Sequence, residues 1–332
     1  MQNHLDESSV SSYLQGLGWL APGEGAVVEP AGDGNINWVR RATAPDGRSC
    51  VLKQARPALE RFPEYQVSTE RIVFEARYLE LTAPFDTTAV RPAVLHSDPE
   101  QRVLVLEDLG DAERLDHALA RGADVGAALR QIAAFLGRVH AGTRDPELAT
   151  RFQNGEMQRL HGDHIFHLPY RENDFPLSPA LRARAEAVWR DAELVARIDA
   201  AYARYLEPRG ALVHADVQSG NVLLADRGPV LLDAEIAHVG DPAFDLGILL
   251  AHVMIGPIAK REPGAVALAG PILQAYATAH GPEGAPMLGR ALRYAGIELL
   301  RRTLGAARVP AVATDEAGLA VVETGVDLVR QT

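Results

Sequence analysis

The stretch HADVQSGNVLLADRGPVLLDAE, residues 214–235, sets polar side chains at both ends of an apolar middle. Val222-Leu223-Leu224 and Val230-Leu231-Leu232 favour β structure, and turn formers lie between them, so the two runs are expected to pair as an antiparallel hairpin. With Arg227 as the turn centre, Asn221 and Asp233 fall opposite each other at the hairpin's open end. Opposed residues have Cβ atoms roughly 5 Å apart, close enough for an amide oxygen and a carboxylate to share one divalent ion. Glu235 projects to the same side if the chain stays extended.

Three hard oxygen donors without His or Cys favour Mg²⁺ over a transition metal, and Mg²⁺ in such a setting usually arrives with phosphates. Asp216 precedes Asn221 by five residues. A kinase catalytic loop uses that spacing for the Asp that accepts the substrate hydroxyl proton and the Asn that holds a metal. The stretch therefore reads as phosphoryl-transfer machinery, with Asp216 as base and Asn221, Asp233 and Glu235 as metal ligands. Singly these residues are ordinary turn caps, strand ends or surface acids; order and spacing carry the reading. His161-Gly162-Asp163 is a decoy, because position 168, where the metal-binding Asn should stand, is Leu. His161, His164 and His167 read as loop histidines rather than metal ligands, since no carboxylate pattern accompanies them.

Working outward toward the N-terminus, residues 26–107 are mainly β in texture. AVVEP leads into the loop AGDGN, and NWVRRAT and SCVLKQA flank a turn whose Asp46-Gly47 is a strong hairpin signal. A helix is expected over 69–81, with Ile72, Val73, Ala76 and Leu79 on one face, and strands near 91–96 and 101–107. Beyond EDLGD the pattern is helical over 127–143, 178–206, 242–261, 266–280, 285–308 and 315–330, broken only by the opening stretch. The expected fold class is α+β and bilobal: a β-rich nucleotide-binding lobe over 1–108 and a larger, mainly helical lobe for catalysis and acceptor binding over 109–332.

A phosphoryl-transfer enzyme of this kind needs a turn of backbone N–H groups and one lysine on the nucleotide's phosphates. Gly32, Asp33, Gly34, Asn35 and Asn37 of AGDGNIN offer the turn, although such a turn is also common without a ligand. A P-loop is excluded, because no G-x-x-x-x-G-K-[ST] occurs. Lys53 is the lysine, and Glu75 on the following helix is its expected partner, with Glu70 and Glu80 as alternatives. By position alone, backbone groups of Glu107 and Leu109 are expected to meet adenine.

Composition narrows the partners. The 332 residues exceed what one core usually organises, and 47% apolar with 23% charged residues describes an ordinary folded chain. With 33 Lys and Arg against 44 Asp and Glu, a formal charge of −11 and no basic run, nucleic acid is not an expected partner. One cysteine, Cys50, rules out an intramolecular disulfide framework or cysteine zinc cluster and fits core packing in a reducing compartment. MQNHLDESSV lacks the features of a signal peptide, and ILLAHVMIGPIA is too short for a membrane span and contains proline, so a cytoplasmic, non-membrane protein is expected.

HADVQSGN followed by LLDAEIAHVGDPAFDLG resembles the aminoglycoside phosphotransferase-like, protein-kinase-like small-molecule kinases, as does FLGRVHAGT. GDGNIN with VLKQARP, EDLG, FQNGEM with LPYREN, DAE and GIELLRRTLGAARV are similar to segments of the methylthioribose kinases, and this likeness runs from about residue 30 to 310. The chain is shorter than those enzymes, has Asn221 where they generally have Ser, and has DAE for their D-P-E. The resemblance implies a protein-kinase-like fold and transfer of the ATP γ-phosphate, with Mg²⁺, to a hydroxyl of a small molecule, in methylthioribose kinases the sugar 1-hydroxyl. It makes Asp216 the base, gives Mg²⁺ to Asp233 and Glu235, and matches Arg301 and Arg302 to the arginine pair of the sugar site; the alternative for that pair is an exposed helix face. Dimers occur among these kinases, so a homodimer is expected. An arginine pair suits hydroxyl-rich neutral or anionic acceptors better than aminoglycosides or choline, the other acceptors of the fold. A non-catalytic nucleotide-binding relative would have lost the base, the lysine or a metal ligand, and all are present here.

Overall fold

The computed structural model describes residues 4–32, 36–58 and 66–332. Asp33, Gly34 and Asn35 of the expected phosphate loop lie outside the described residues. The chain divides into two compact units, Met1–Ala83 with Arg91–Asp111, and Pro84–Val90 with Ala112–Thr332.

The first unit is built on a five-stranded antiparallel sheet of β1 (Val27–Pro30), β2 (Trp38–Thr43), β3 (Ser49–Gln54), β4 (Val94–Asp98) and β5 (Val103–Glu107), in the order β1-β2-β3-β5-β4. The β2–β3 turn forms as Asp46-Gly47 predicts: Gly47 takes φ +87°, and Asp46 Oδ1 accepts the Arg48 N–H at 3.0 Å. Alternation along the two strands sends Trp38, Ala42, Cys50 and Leu52 into one core with Val103 and Val105. A short helix, α1 (Val10–Gly16), which the sequence did not suggest, covers that core with Val10 and Leu14. Burial of each such aliphatic side chain is worth roughly 1.5–3 kcal/mol. Cys50 is plain core as expected, and burial pushes its thiol up to about 12, with the Asp108 charge adding to the effect. Helix α2 (Arg71–Thr82) lies against β4 and β5 and buries Ile72, Val73, Ala76 and Leu79, the face the periodicity named.

The second unit carries α3 (Leu115–Ala120), α4 (Gly126–Gly142), α5 (Leu148–Arg151), α6 (Gly155–Gly162), α7 (Pro179–Arg190), α8 (Ala192–Leu206), α9 (Ala243–Ala259), α10 (Ala269–His280), α11 (Leu288–Leu304) and α12 (Asp315–Gln331). The single helical stretch expected over 178–206 is two helices. Asp191 leaves helical geometry between them, and its carboxylate accepts the Leu194 N–H at 3.0 Å as the cap of α8. Helix α9 is apolar nearly all round and correspondingly buried along most of its length, packed on α11. No helix among the described residues is long and apolar enough to cross a membrane.

Two small sheets interrupt these helices, where the sequence indicated one hairpin. β6 (Glu113–Arg114), β8 (Val222–Ala225) and β9 (Gly228–Leu231) form a three-stranded sheet in the order β6-β8-β9, and β7 (Ala211–Val213) pairs antiparallel with β10 (His238–Gly240). Strands of two or three residues carry no readable alternation, which is why they escaped notice.

The β8–β9 hairpin exists, but its register corrects the expected pairing. Val222 opposes Leu231 and Ala225 opposes Gly228, so the turn is Asp226-Arg227 and its centre falls between those two residues. Asn221 consequently stands opposite Leu232, whose N–H donates to the Asn221 carbonyl at 2.8 Å, and not opposite Asp233. Beyond β9 the chain does not stay extended. Asp233 adopts φ +66°, and the Ala237 N–H closes a turn onto the Ala234 carbonyl at 3.1 Å. Both geometric premises for converging Asn221, Asp233 and Glu235 by simple strand alternation therefore fail.

Candidate active site

Asp216 follows β7 on a loop held from behind by a buried carboxylate. Asp245, in the first turn of α9, accepts the His214 N–H on Oδ2 and the Ala215 N–H on Oδ1, both at 2.8 Å. These bonds hold Ala215 at φ +68°, a conformation that costs a non-glycine residue about 1 kcal/mol or more. His140 on α4 reaches Asp245 Oδ2 with Nε2 at 3.1 Å and the Tyr276 hydroxyl with Nδ1 at 3.0 Å. Burial alone would raise the Asp245 carboxyl; the hydrogen bond from His140 and the nearby His140 and His214 overcome it and keep the carboxyl below its ordinary value.

The loop aims Asp216 by way of two amides. Asn221 Nδ2 donates to Asp216 Oδ2 at 2.7 Å and to the Asp216 carbonyl at 3.0 Å, and Gln218 Nε2 donates to Oδ2 at 3.0 Å. Asn221 sits at the end of a 3₁₀ turn, Ser219–Asn221, that leads into β8. Oδ1 of Asp216 faces His161 Nε2 at 3.9 Å. The five-residue spacing read in the sequence thus corresponds to a direct contact between the Asp216 carboxylate and the Asn221 amide.

That contact also fixes which way round the amide lies. The Asn221 nitrogen is turned to Asp216, and its oxygen is the atom that can ligate. Glu235 is buried, and Asn154 Nδ2 donates to its carbonyl at 2.8 Å, anchoring the turn after Asp233. Among the described residues no group of three or more His, Cys, Asp or Glu is gathered that could hold a metal. Asn221, Asp233 and Glu235 offer only oxygen ligands, a donor chemistry that suits Mg²⁺, which fills its octahedron with phosphate and water, better than a transition metal.

Arg301 and Arg302 lie in the last turn of α11 and are buried, at 9% and 8% exposure, so the exposed-face alternative is set aside. Oε1 of the fully buried Glu298 accepts from Arg301 Nη1 at 2.9 Å and Arg302 Nε at 2.6 Å, and His252 Nε2 lies 3.3 Å from it. Arg302 Nη2 then donates to Gln218 Oε1 at 2.7 Å. The arginine pair is therefore joined to Asp216 through one amide. Burial opposes the Glu298 charge, but Arg301 and Arg302 together hold its carboxyl well below the usual range. Gln218, Glu298 and Asp245 were missed by the sequence reading: Glu298 and Asp245 are lone acids in apolar helices, signalled only by the arginine pair three and four residues on and by the first turn of α9, and Gln218 was signalled only by lying two residues after Asp216.

In the first unit, Lys53 is on β3, paired to Val39 of β2 and Leu104 of β5, and its Nζ lies 2.7 Å from Glu75 Oε2 on α2. Both side chains are buried. The alternatives are placed elsewhere: Glu70 pairs with Arg102, and Glu80 is exposed. Asn37 is buried and its Oδ1 accepts from Arg71 Nε at 3.0 Å, while Gly32 adopts φ +69°. At the end of β5 the Glu107 N–H donates to the Ala93 carbonyl at 3.0 Å. Arg41 ties down the segment that follows, contacting Asp108 Oδ2 at 2.9 Å and the Gly110 carbonyl at 2.7 Å around Leu109.

An aspartate aimed by an amide five residues on, a buried lysine–glutamate pair and an acid-bearing turn after a hairpin are the features expected of a phosphotransferase from the sequence. The chain matches the phosphotransferase enzyme family over residues 27–304. It belongs to that family. A methylthioribose kinase of Cronobacter sakazakii is 30% identical over 262 residues, covering 75% of this chain and 65% of that protein. A methylthioribose kinase of Bacillus cereus is 27% identical over 271 residues, covering 78% and 68%. The chain thus spans about two thirds of the length of the curated relatives it matches. Among solved structures, a choline/ethanolamine kinase family protein from Mesorhizobium loti superposes with a TM-score of 0.57 at 17% identity over 98% of this chain and 99% of the other. A choline kinase from Streptococcus pneumoniae gives 0.54 at 14% over the same shares. At these identities the likeness is one of fold, and it is the mixed, protein-kinase-like fold expected from the sequence.

Proposed function

We propose that this member of the phosphotransferase enzyme family is an ATP-dependent kinase whose acceptor is a hydroxyl of a small sugar of the methylthioribose type, with Asp216 as the base. The observation that carries this reading is the link from Asp216 through Gln218 to Arg302, which joins the Asp216 carboxylate and a buried arginine pair in one hydrogen-bonded unit. Guanidinium groups donate in a fixed fork to hydroxyl and anionic oxygens and repel a cationic acceptor, so the pair favours a sugar over choline or an aminoglycoside. The relatives named methylthioribose kinase support the same choice.

In this reading the acceptor oxygen forms a bond to the γ-phosphorus as the bond to the β–γ bridging oxygen breaks, and the acceptor proton passes to Asp216 Oδ1. Asp216 Oδ2 is occupied by Asn221 and Gln218, which fixes the carboxylate plane before the acceptor arrives. Lys53, oriented by Glu75, binds phosphate oxygens, and Gly32 to Asn37 with Glu107 and Leu109 hold the rest of the nucleotide. Asn221, Asp233 and Glu235 would hold Mg²⁺, whose contribution when bound is to neutralise charge on the phosphates.

ADP release across methylthioribose, 5-deoxyribose, ribose, an aminoglycoside and choline tests the proposal. Turnover is expected with methylthioribose ahead of the others; turnover confined to choline or the aminoglycoside would sink the sugar assignment. Asp216→Asn should lower kcat by about 10²–10⁴ while ATP binding by calorimetry persists.

A further inference from the structure

His161 was set aside in the sequence as part of a decoy triplet, yet the structure puts it against the base. It occupies the last turn of α6, immediately before a wide π turn over Asp163–His167, so the three histidines expected in a loop lie on helical backbone. π turns inside helices frequently mark functional positions. The imidazole is 11% exposed, meets the Phe244 ring edge-on with centroids 6.3 Å apart, and has an Nδ1 that is buried without a hydrogen-bond partner.

Asp216 has only one carboxylate oxygen to offer an acceptor. Oδ2 takes two amide N–H groups, and Oδ1 faces His161 Nε2 across 3.9 Å. That gap is too long for a hydrogen bond between the two groups, and it suits one oxygen atom bonded to both. The charged groups around the ring are Asp216, Glu298, Arg301 and Arg302. Burial, with the arginines, outweighs the carboxylates and holds the imidazole at about 4, so the ring is neutral near pH 7 and carries one N–H.

We propose that His161 is a further acceptor-site residue: its Nε2–H donates to the acceptor hydroxyl oxygen while that hydroxyl directs its proton to Asp216 Oδ1. The hydroxyl is thereby held with one lone pair toward the histidine and another toward the phosphorus it attacks. The inference rests on Asp216 being the base. If His161 only filled space under Phe244, any aromatic ring of similar size would serve.

The test compares His161→Phe, which keeps a ring and removes the donor, with His161→Gln, whose amide N–H reaches a similar position. With methylthioribose, His161→Phe should lower kcat/KM for the acceptor by about 10- to 100-fold, the range expected for a lost buried hydrogen bond, and leave KM for ATP within about twofold. His161→Gln should recover at least about tenfold of that loss. His161→Phe within about threefold of wild type, or His161→Gln no better than His161→Phe, overturns the proposal. Should the phenylalanine variant fail to fold, the His161 imidazole ¹⁵N resonances of the wild-type enzyme decide: they should move on adding methylthioribose and stay still with ATP alone, and no response to the sugar overturns the proposal. If wild type turns over a different panel acceptor, the sugar assignment fails and the same ratios are read on that acceptor. If Asp216→Asn retains wild-type turnover, the base assignment fails and this inference with it.

Discussion

Lys53 and Asp216 stand out equally in the sequence, but the two units hold them by different means. Lys53 sits in mid-ladder on a central strand and meets a glutamate on the helix that packs nearby, so regular elements alone place it. Asp216 sits where regularity stops. Ala215 and Asp233 take positive φ, a 3₁₀ turn leads into Asn221, and the orienting groups come from α4, α9 and α11. Periodicity fixes the first arrangement locally. The second depends on long-range hydrogen bonds, each of which can be removed one at a time.

The two buried ion clusters are where the difference should be largest. Glu298 pairs with two guanidiniums through a single oxygen, and its Oε2 has no hydrogen-bond partner. Arginine cannot shed its proton, whereas a buried lysine left without its carboxylate can. Glu298→Gln should therefore cost about 3–5 kcal/mol in urea unfolding and also lower kcat, since Arg302 would lose its hold on Gln218. Glu75→Gln should cost less in stability. Equal losses in the two variants would mean that the contrast between the units is not energetic.

How far the sequence could be read follows the same division. The antiparallel strands of the first unit, α2 with Glu75, and most of the long helices were visible as period-two or 3.6-residue patterns. The Asp216–Asn221 contact was visible because the spacing is local. The register of the β8–β9 hairpin was not, because an Asp-Arg turn and one centred on Arg227 differ by a single position in a run of apolar residues that reads the same either way. Asp245 and Glu298 were hidden for another reason: nothing in a helix's own pattern says that its one buried acid faces a loop or side chains from distant parts of the chain.

Stability against pH sharpens the picture of the second unit. Burial pushes both His161 and His238 to about 4 from an ordinary 6.5. A group with its folded pKa lowered in this way stays neutral in the fold while the unfolded chain takes up a proton, so stability is full above about 6.5 and falls as the pH drops toward 4. Each histidine accounts for a loss of about 3 kcal/mol at most across that window. Urea midpoints measured from pH 7 to 4 should show the decline, and His161→Phe should flatten its share. A flat profile in wild type would place these imidazoles in contact with water. Below about 4 the lowered carboxyls of Asp245 and Glu298 add their own loss, since their stabilisation disappears only as the pH falls through their depressed values.

The smallest effects compare the two hairpins themselves. Gly47 in the β2–β3 turn takes φ +87° and Gly228 in the β8–β9 turn takes φ +119°, both in the region that L side chains rarely adopt. A Cβ at Gly47 would meet nothing within 4 Å, and one at Gly228 would come 2.9 Å from Gln131 Oε1, the far end of a flexible side chain. Backbone strain therefore dominates at both positions, and Gly47→Ala and Gly228→Ala should each cost about 1–2 kcal/mol. Their effects on turnover should part. The β2–β3 hairpin ends in a sheet whose register is fixed again by β5, so Gly47→Ala should leave kcat near wild type. The β8–β9 hairpin ends at Asn221, whose backbone is tied to Leu232 and whose amide holds Asp216 Oδ2, so Gly228→Ala should lower kcat several-fold at equal thermodynamic cost. Matching kcat values in the two variants would show that Asn221 is seated by the 3₁₀ turn before it and not by the strand pair after it.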